Sequence, residues 1–176
     1  AQLEEPGNWA VYALNRYQHQ TLNYFSQRPN PAPPSAQNLL GTDDRGRDIF
    51  ARLLYGFRVS VLFGLALTAI GVILGIFFGA LQGYFAGRTD LFFQRFIEVW
   101  GSVPELYLLI ILASMFEPGL LILLVILSAF GWMGLSDYVR AEFLRNRGLD
   151  YATAARAMGL SHARIIWRHL LPNSLT

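Results

Sequence analysis

The sequence has 176 residues, 53% of them hydrophobic, a formal net charge of +2 and no cysteine. The missing cysteines exclude disulfides, thiolate metal sites and cysteine nucleophiles. All 14 basic residues are arginine, so the chain lacks the lysine that a Walker A loop sets on nucleotide phosphates and carries no standard ATP-hydrolysing site. Those arginines flank apolar segments instead of forming one basic face, which argues against nucleic acid as a partner.

Hydropathy divides the chain. Residues 1–58 are polar and proline-bearing, residues 59–134 are almost continuously apolar, and residues 135–176 are mixed and arginine-rich. A soluble core does not segregate in this way; a membrane protein does. The first segment opens with Trp9, Tyr12, Tyr17, Tyr24 and Phe25, then prolines from Pro29 to Pro34, and reads as an irregular loop with little regular structure after Arg28. Next come Gly41, Thr42, Asp43, Asp44, Arg45, Gly46, Arg47 and Asp48. This octet reads as a self-paired charge cluster and also as a helix start, with Thr42 or Asp43 capping an amphipathic helix from about Arg47 to Phe57.

Three spans follow. Val59–Phe85 holds no charge and exceeds the roughly 20 residues that cross a bilayer. Its glycines recur at Gly71, Gly75, Gly79 and Gly83, with Gly87 continuing the row. Every-fourth spacing puts them on one face, where a neighbouring backbone can approach; the neighbour is either another subunit at the pore or a helix of this chain. The second span, residues 91–116, contains Arg95, Glu98, Pro104 and Glu105. Arg95 and Glu98, three apart, face one side and can pair, and intramembrane charges are also path-lining candidates. Proline at 104 is expected to kink or break the helix, with Glu105 facing protein or water and not lipid. The third span covers residues 119–135 and continues as an amphipathic helix over Ser136–Arg147.

Arg140, Arg145 and Arg147 follow the third span, while the Glu117–Pro118 turn has no arginine. The positive-inside rule then puts residues 136–176 in the cytoplasm, and three alternating spans put residues 1–58 outside. Arg45, Arg47, Arg52 and Arg58 outside the first span, against Arg88 and Arg95 inside, oppose this orientation; the bare Glu117–Pro118 turn decides it. An exported segment with neither a leader nor an earlier span leads us to expect a fragment missing at least one upstream span.

The last segment reads as two short helices. Asp150 is expected to cap the first, Gly159 to end it in the left-handed conformation, Ser161 to cap the second, and Pro172 to limit it. Ala152, Ala154, Ala155 and Ala157 are expected to form a smooth surface that another protein could approach; on helix physics alone, a hairpin lying on the membrane surface is the favoured reading. His19, His162 and His169 form no H-E-x-x-H pair, so no metalloenzyme signature is present.

Tyr151–Asn173 resembles the EAA loop of ABC-importer permeases. Ala154, Ala155, Gly159, Leu171 and Pro172 stand at the matching positions, while Thr153 replaces the glutamate and His169 the isoleucine, as in the peptide branch. Gly41–Asp48 is similar to the Gly-Thr-Asp-x-x-Gly-Arg-Asp motif of the C-type permease of dipeptide and oligopeptide importers, carried here by Gly41, Thr42, Asp43, Gly46, Arg47 and Asp48. Gln94–Trp100 and the aromatic first segment look closest to the microcin C/Yej-type subgroup. The resemblance implies an all-α, type I permease bundle in the bacterial inner membrane, with a homologous permease partner, two ATPase subunits and an extracytoplasmic binding protein. ATP and magnesium would be bound by the ATPases, with no cofactor in this chain. Tyr151, Ala154, Ala155, Ala157, Gly159, His169 and Pro172 would form the ATPase-coupling element. The substrate would be a peptide or peptide-like solute, with glutathione or chelated nickel as alternatives. A secondary transporter would explain the spans but has no need of the coupling loop, and no inverted repeat is visible.

Overall fold

The computed structural model describes residues 17–22, 29–116 and 119–174. Trp9, Tyr12, Tyr24, Phe25 and the Glu117–Pro118 turn lie outside the described residues. The chain divides into two compact units, Ala1–Leu62 and Phe63–Thr176.

In the first unit, the described residues before Ile49 form an irregular segment with only isolated bridges, Leu22 with Arg47 and Thr42 with Asp48. A long helix, α1 (Ile49–Phe85), then begins. Neither Thr42 nor Asp43 caps it. Asp48 does: its Oδ1 accepts the Ala51 amide at 2.7 Å, and its Oδ2 accepts the Asn38 side-chain amide at 2.8 Å. The helix starts two residues later than expected because Asp43 holds residues 43–47 in a closed turn that is incompatible with helix.

The second unit takes over α1 from Phe63 and adds α2 (Gly87–Gly101), α3 (Glu105–Met115), α4 (Leu120–Gly131), α5 (Met133–Asn146) and α6 (Asp150–Ala157). A last helical stretch comprises α7 (His162–Arg164), a π-helical segment Ile165–Leu170 and α8 (Leu171–Ser174). Two helices are long and apolar enough to cross a membrane, Ile49–Phe85 and Leu120–Asn146. Only 6% of the most apolar window of the first is buried. Leu65, Val72, Ile73 and Phe77 all point outward, as lipid-facing residues do and core residues of a soluble protein do not.

Residues 91–116 do not form one helix. α2 ends at Gly101 and α3 restarts after Pro104, which adopts φ −67° and ψ 112°. At 1.5 Å per residue, neither piece alone reaches the roughly 30 Å of a hydrocarbon core. The third apolar run continues into the following segment as expected, since α4 passes through Trp132 into α5 without leaving helical geometry.

The core is where α1, α5 and the C-terminal helices meet. Ala80, Tyr84, Val139, Phe143, Ala152, Ala155, Ile165, Ile166 and Leu170 form one buried cluster. On α5 the buried positions Ser136, Val139, Phe143 and Asn146 recur at three- and four-residue intervals, which is one helix face.

Candidate functional site

The glycine row fixes how α1 meets α5. A Cβ on Gly75 would lie 2.9 Å from the Leu135 Cβ, and one on Gly79 would lie 2.6 Å from the Ser136 carbonyl oxygen. One on Gly83 would overlap the Phe143 side chain and sit 2.6 Å from the Arg140 carbonyl oxygen. Gly71 is looser, its nearest neighbour being the Gly131 carbonyl oxygen at 3.8 Å. Gly87 lies beyond the end of α1 with open space around it. The neighbour of this seam is therefore a helix of the same chain, and no side chain fits at Gly79 or Gly83 without moving α5.

Beside the seam runs a polar chain, buried at Gln82 and Ser136 and open to the surface at Asp137, that the sequence reading missed. Gln82, fully buried, donates to Ser136 Oγ at 2.9 Å and accepts from Gln94 Nε2 at 2.9 Å. Gln94 also reaches Asp137 Oδ1 at 3.3 Å. Arg140 grips Asp90 through two nitrogens, Nε to Oδ1 and Nη2 to Oδ2, the latter at 2.8 Å. A glutamine in an otherwise apolar run was the available signal, because polar groups buried in a membrane must find partners.

The C-terminal helices fold against this end of the bundle. α6 is preceded by Leu149 in extended conformation, and Asp150 occupies its first turn without a side-chain capping bond; its charge still complements the positive helix end. Gly159 ends α6 as expected, at φ 74°. The Leu160 amide donates to the Ala155 carbonyl at 3.2 Å and the Gly159 amide to that of Arg156 at 2.9 Å, the two bonds of a Schellman motif. Leu160 then packs onto the buried cluster. Ser161 precedes α7 at the cap position, but its hydroxyl makes no cap bond.

Pro172 does not end the last helix, which continues to Ser174. The preceding turn widens to a π-helix, and this opens room where the proline ring would otherwise strike the carbonyl four residues back. Asn173 Nδ2 and Ser174 Oγ donate to the carbonyls of His169 and Leu170 at 2.9 and 2.8 Å.

The four alanines do not form one surface. Ala152 and Ala155 are 0% and 1% exposed, buried within the chain's own core. Thr153, Ala154, Arg156, Ala157 and Gly159 are exposed, with Met158 beside them at 72%. Tyr151 packs on the cluster with its hydroxyl buried and, among the described residues, without a hydrogen-bond partner. His169 is half-buried and Pro172 exposed.

In the second unit, Arg95 pairs with Glu98 through Nη1 at 2.5 Å on an exposed face. Glu105 stands half-buried in the first turn of α3, on the helix after theirs.

In the first unit, the octet is a closed latch. Thr42 is buried; its hydroxyl donates to Asn30 Oδ1 at 2.8 Å and accepts the Ala32 amide at 2.9 Å. Gly41 and Gly46 both hold positive φ, and a Cβ on Gly41 would overlap the Ala32 carbonyl. Asp43 accepts the amides of Arg45 and Arg47 at 3.0 and 2.8 Å, with the Arg47 and Arg52 guanidinium groups on its other oxygen. Burial works against its charge, but the Arg47 and Arg45 bonds outweigh burial and hold the carboxyl at about 2, against 3.8 ordinarily. A depressed carboxyl pKa stabilises the latch above pH 3.8, and the stabilisation is lost as pH falls from there toward 2. Protection of the Arg45 and Arg47 amides from hydrogen exchange, relative to an unstructured peptide at the same pH, should therefore fall across that window. Asp43→Asn should show fast exchange already at pH 7; slow exchange in that variant would refute the assignment.

Among the described residues, no group of three or more His, Cys, Asp and Glu is placed to hold a metal ion.

Residues 52–176 match the family described as binding-protein-dependent transport system inner membrane component. The chain is 50% identical over 171 residues to the inner membrane ABC transporter permease protein YejE of Escherichia coli K12, covering 97% of this chain and 50% of that one. It is 44% identical over 193 residues to the peptidoglycan transport system permease protein YejE of Agrobacterium fabrum, covering 95% and 50%. It is 30% identical over 168 residues to the oligopeptide transport system permease protein OppC of Bacillus subtilis, covering 94% and 54%. The chain thus spans about half the length of the curated relatives it matches. With a family match over residues 52–176, an apolar stretch of α1 left largely exposed and a seam that sets Gly75, Gly79 and Gly83 against α5, the chain belongs to the family of binding-protein-dependent transport system inner membrane components.

Proposed function

We propose that this chain is part of the membrane-spanning permease of an ATP-driven importer of peptides or peptide-like solutes, and that α6 is its contact with a separate ATPase. The observation that carries this reading is the two-sidedness of α6. Ala152 and Ala155 anchor it to α1 and α5 through the shared core, while Thr153, Ala154, Ala157 and Met158 stay uncovered. A helix with small exposed residues and a rigid back can be seated by another protein and pass its displacement to the spans.

In this reading, α1, the broken α2–α3 pair and α4–α5 are three spans of an inner-membrane protein, with residues 1–58 outside and residues 136–176 in the cytoplasm. A homologous permease completes the path, a binding protein delivers substrate from outside, and the ATPases bind ATP and magnesium. Transport is then a two-state equilibrium biased by nucleotide. The transport names of the relatives support a peptide-like substrate; glutathione or a nickel chelate is the second choice within the family. Co-purification with an ATPase subunit and peptide-stimulated ATP hydrolysis in the assembled complex test the reading. Uptake that persists without ATP would sink it.

Glu105 and the exposed Arg95–Glu98 pair are proposed to line the path, since the α2–α3 break exposes backbone groups that lipid cannot satisfy. A cysteine at 105 should react with aqueous thiol reagents in at least one nucleotide state. Protection in every state would remove Glu105 from the path.

A further inference from the structure

Tyr84, in the last turn of α1, is the centre of a contact set that the coupling reading leaves unused. Its hydroxyl and His162 Nδ1 are 2.7 Å apart, and the two rings meet edge-on with centroids 5.5 Å apart. The His162 ring also lies against Phe85, with centroids 5.7 Å apart. The Arg156 guanidinium sits over the Tyr84 ring, 5.8 Å from its centroid. Arg147 Nη1 donates to the Tyr84 carbonyl at 3.2 Å, and Arg156 Nη2 donates to the Arg147 carbonyl. One residue of α1 thus touches the α5–α6 connection through Arg147, α6 through Arg156 and the start of α7 through His162.

We propose that Tyr84 and His162 are positioning residues that lock both sides of α6 to the end of α1, so that movement of α6 is transmitted to the first span. The core contacts of Ala152 and Ala155 hold α6 from behind, but apolar packing is non-directional and permits sliding. The Tyr84–His162 bond is directional, and it falls on the turn after Gly159, where the hairpin reverses. Arg156 and Arg147 fix the opposite side through the same residue. Removing the hydroxyl therefore leaves α6 attached but loosely registered: ATP is still hydrolysed, and less of it moves substrate.

This proposal rests on the permease reading, and the test separates the two. In the importer assembled with its ATPases and reconstituted in vesicles, substrate imported per ATP hydrolysed is measured for wild type, Tyr84→Phe, His162→Ala and the double variant. Tyr84→Phe keeps the ring in the core and removes only the hydroxyl. The ratio is expected to fall about fivefold in each single variant, the size expected from one hydrogen bond, while ATPase co-purification stays normal. The double variant should be no worse than either single one, because all three break the same bond. An unchanged ratio in Tyr84→Phe, or additive losses in the double variant, overturns the proposal while leaving the permease reading intact. Failure of wild type to bind an ATPase and import substrate overturns both.

Discussion

Gly83→Ala is expected to lower the unfolding midpoint of the purified protein in detergent, and Gly79→Ala to do the same, whereas Gly71→Ala should leave it unchanged or raise it slightly. In the helix interior, glycine-to-alanine is ordinarily favourable by up to about 1 kcal/mol, so the sign must reverse where the seam is tight. At Gly83 the added methyl meets the Phe143 side chain and the Arg140 carbonyl; at Gly79 it meets the Ser136 carbonyl and Val139. Those neighbours belong to a second helix's backbone and to a fully buried phenylalanine, neither of which can step aside alone. Overpacking of this kind costs about 1–3 kcal/mol. Separation of the helices would also stretch the Gln82–Ser136 bond, which adds a loss that apolar packing alone would not. At Gly71 the nearest atom is 3.8 Å away, an ordinary contact. If the seam served another subunit instead, Gly83→Ala would be silent in the isolated protein and act only in the assembled complex; equal midpoints for wild type and Gly83→Ala would show that.

The periodic and composition-driven features were legible in the sequence; those that depend on side chains meeting across helices were not. Gly71, Gly75, Gly79 and Gly83 announced a close-packed face through spacing alone, but which helix they faced needed the position of α5. The break at Pro104 followed from a missing amide. Pro172 carried the same signal and was misjudged, because the π-helical turn before it absorbs the ring. Asp48 was missed as the cap because Thr42 and Asp43 are equally good caps by residue type, and only the turn closed by Asp43 shifts the helix start to Ile49. Asp90 and Arg140 stand 50 positions apart, as invisible to local reading as the Tyr84–His162 bond. The alanine-rich α6 was recognised as helix, but alanine is compatible with both a buried and an exposed face, so composition could not divide the four.

That division gives the last expected result. Ala154→Trp should abolish co-purification with the ATPase while the unfolding midpoint stays at the wild-type value, because the position is exposed and its helix is held from the other side. Ala155→Leu should do the reverse in order. It belongs to the same buried cluster as the fully buried Phe143, Ile165 and Leu170, so three added carbons overpack the core by about 1–3 kcal/mol, and ATPase binding is lost only as the hairpin loosens. Gly159 falls between the two. Open space surrounds it, so no clash arises from a side chain, but φ of 74° costs a β-carbon-bearing residue about 1–2 kcal/mol. Gly159→Val should therefore lower the midpoint and ATPase binding together, and Gly159→Asn should recover most of both, since asparagine tolerates that conformation. Normal ATPase binding by Ala154→Trp would show that the partner does not approach the exposed face of α6. Equal losses of stability for Ala154→Trp and Ala155→Leu would show that the helix has no free side to offer. The two alanines are adjacent in sequence and identical in chemistry, so when the same residue is placed at both, as in Ala154→Leu beside Ala155→Leu, a difference between them comes from the face of α6 on which each one stands.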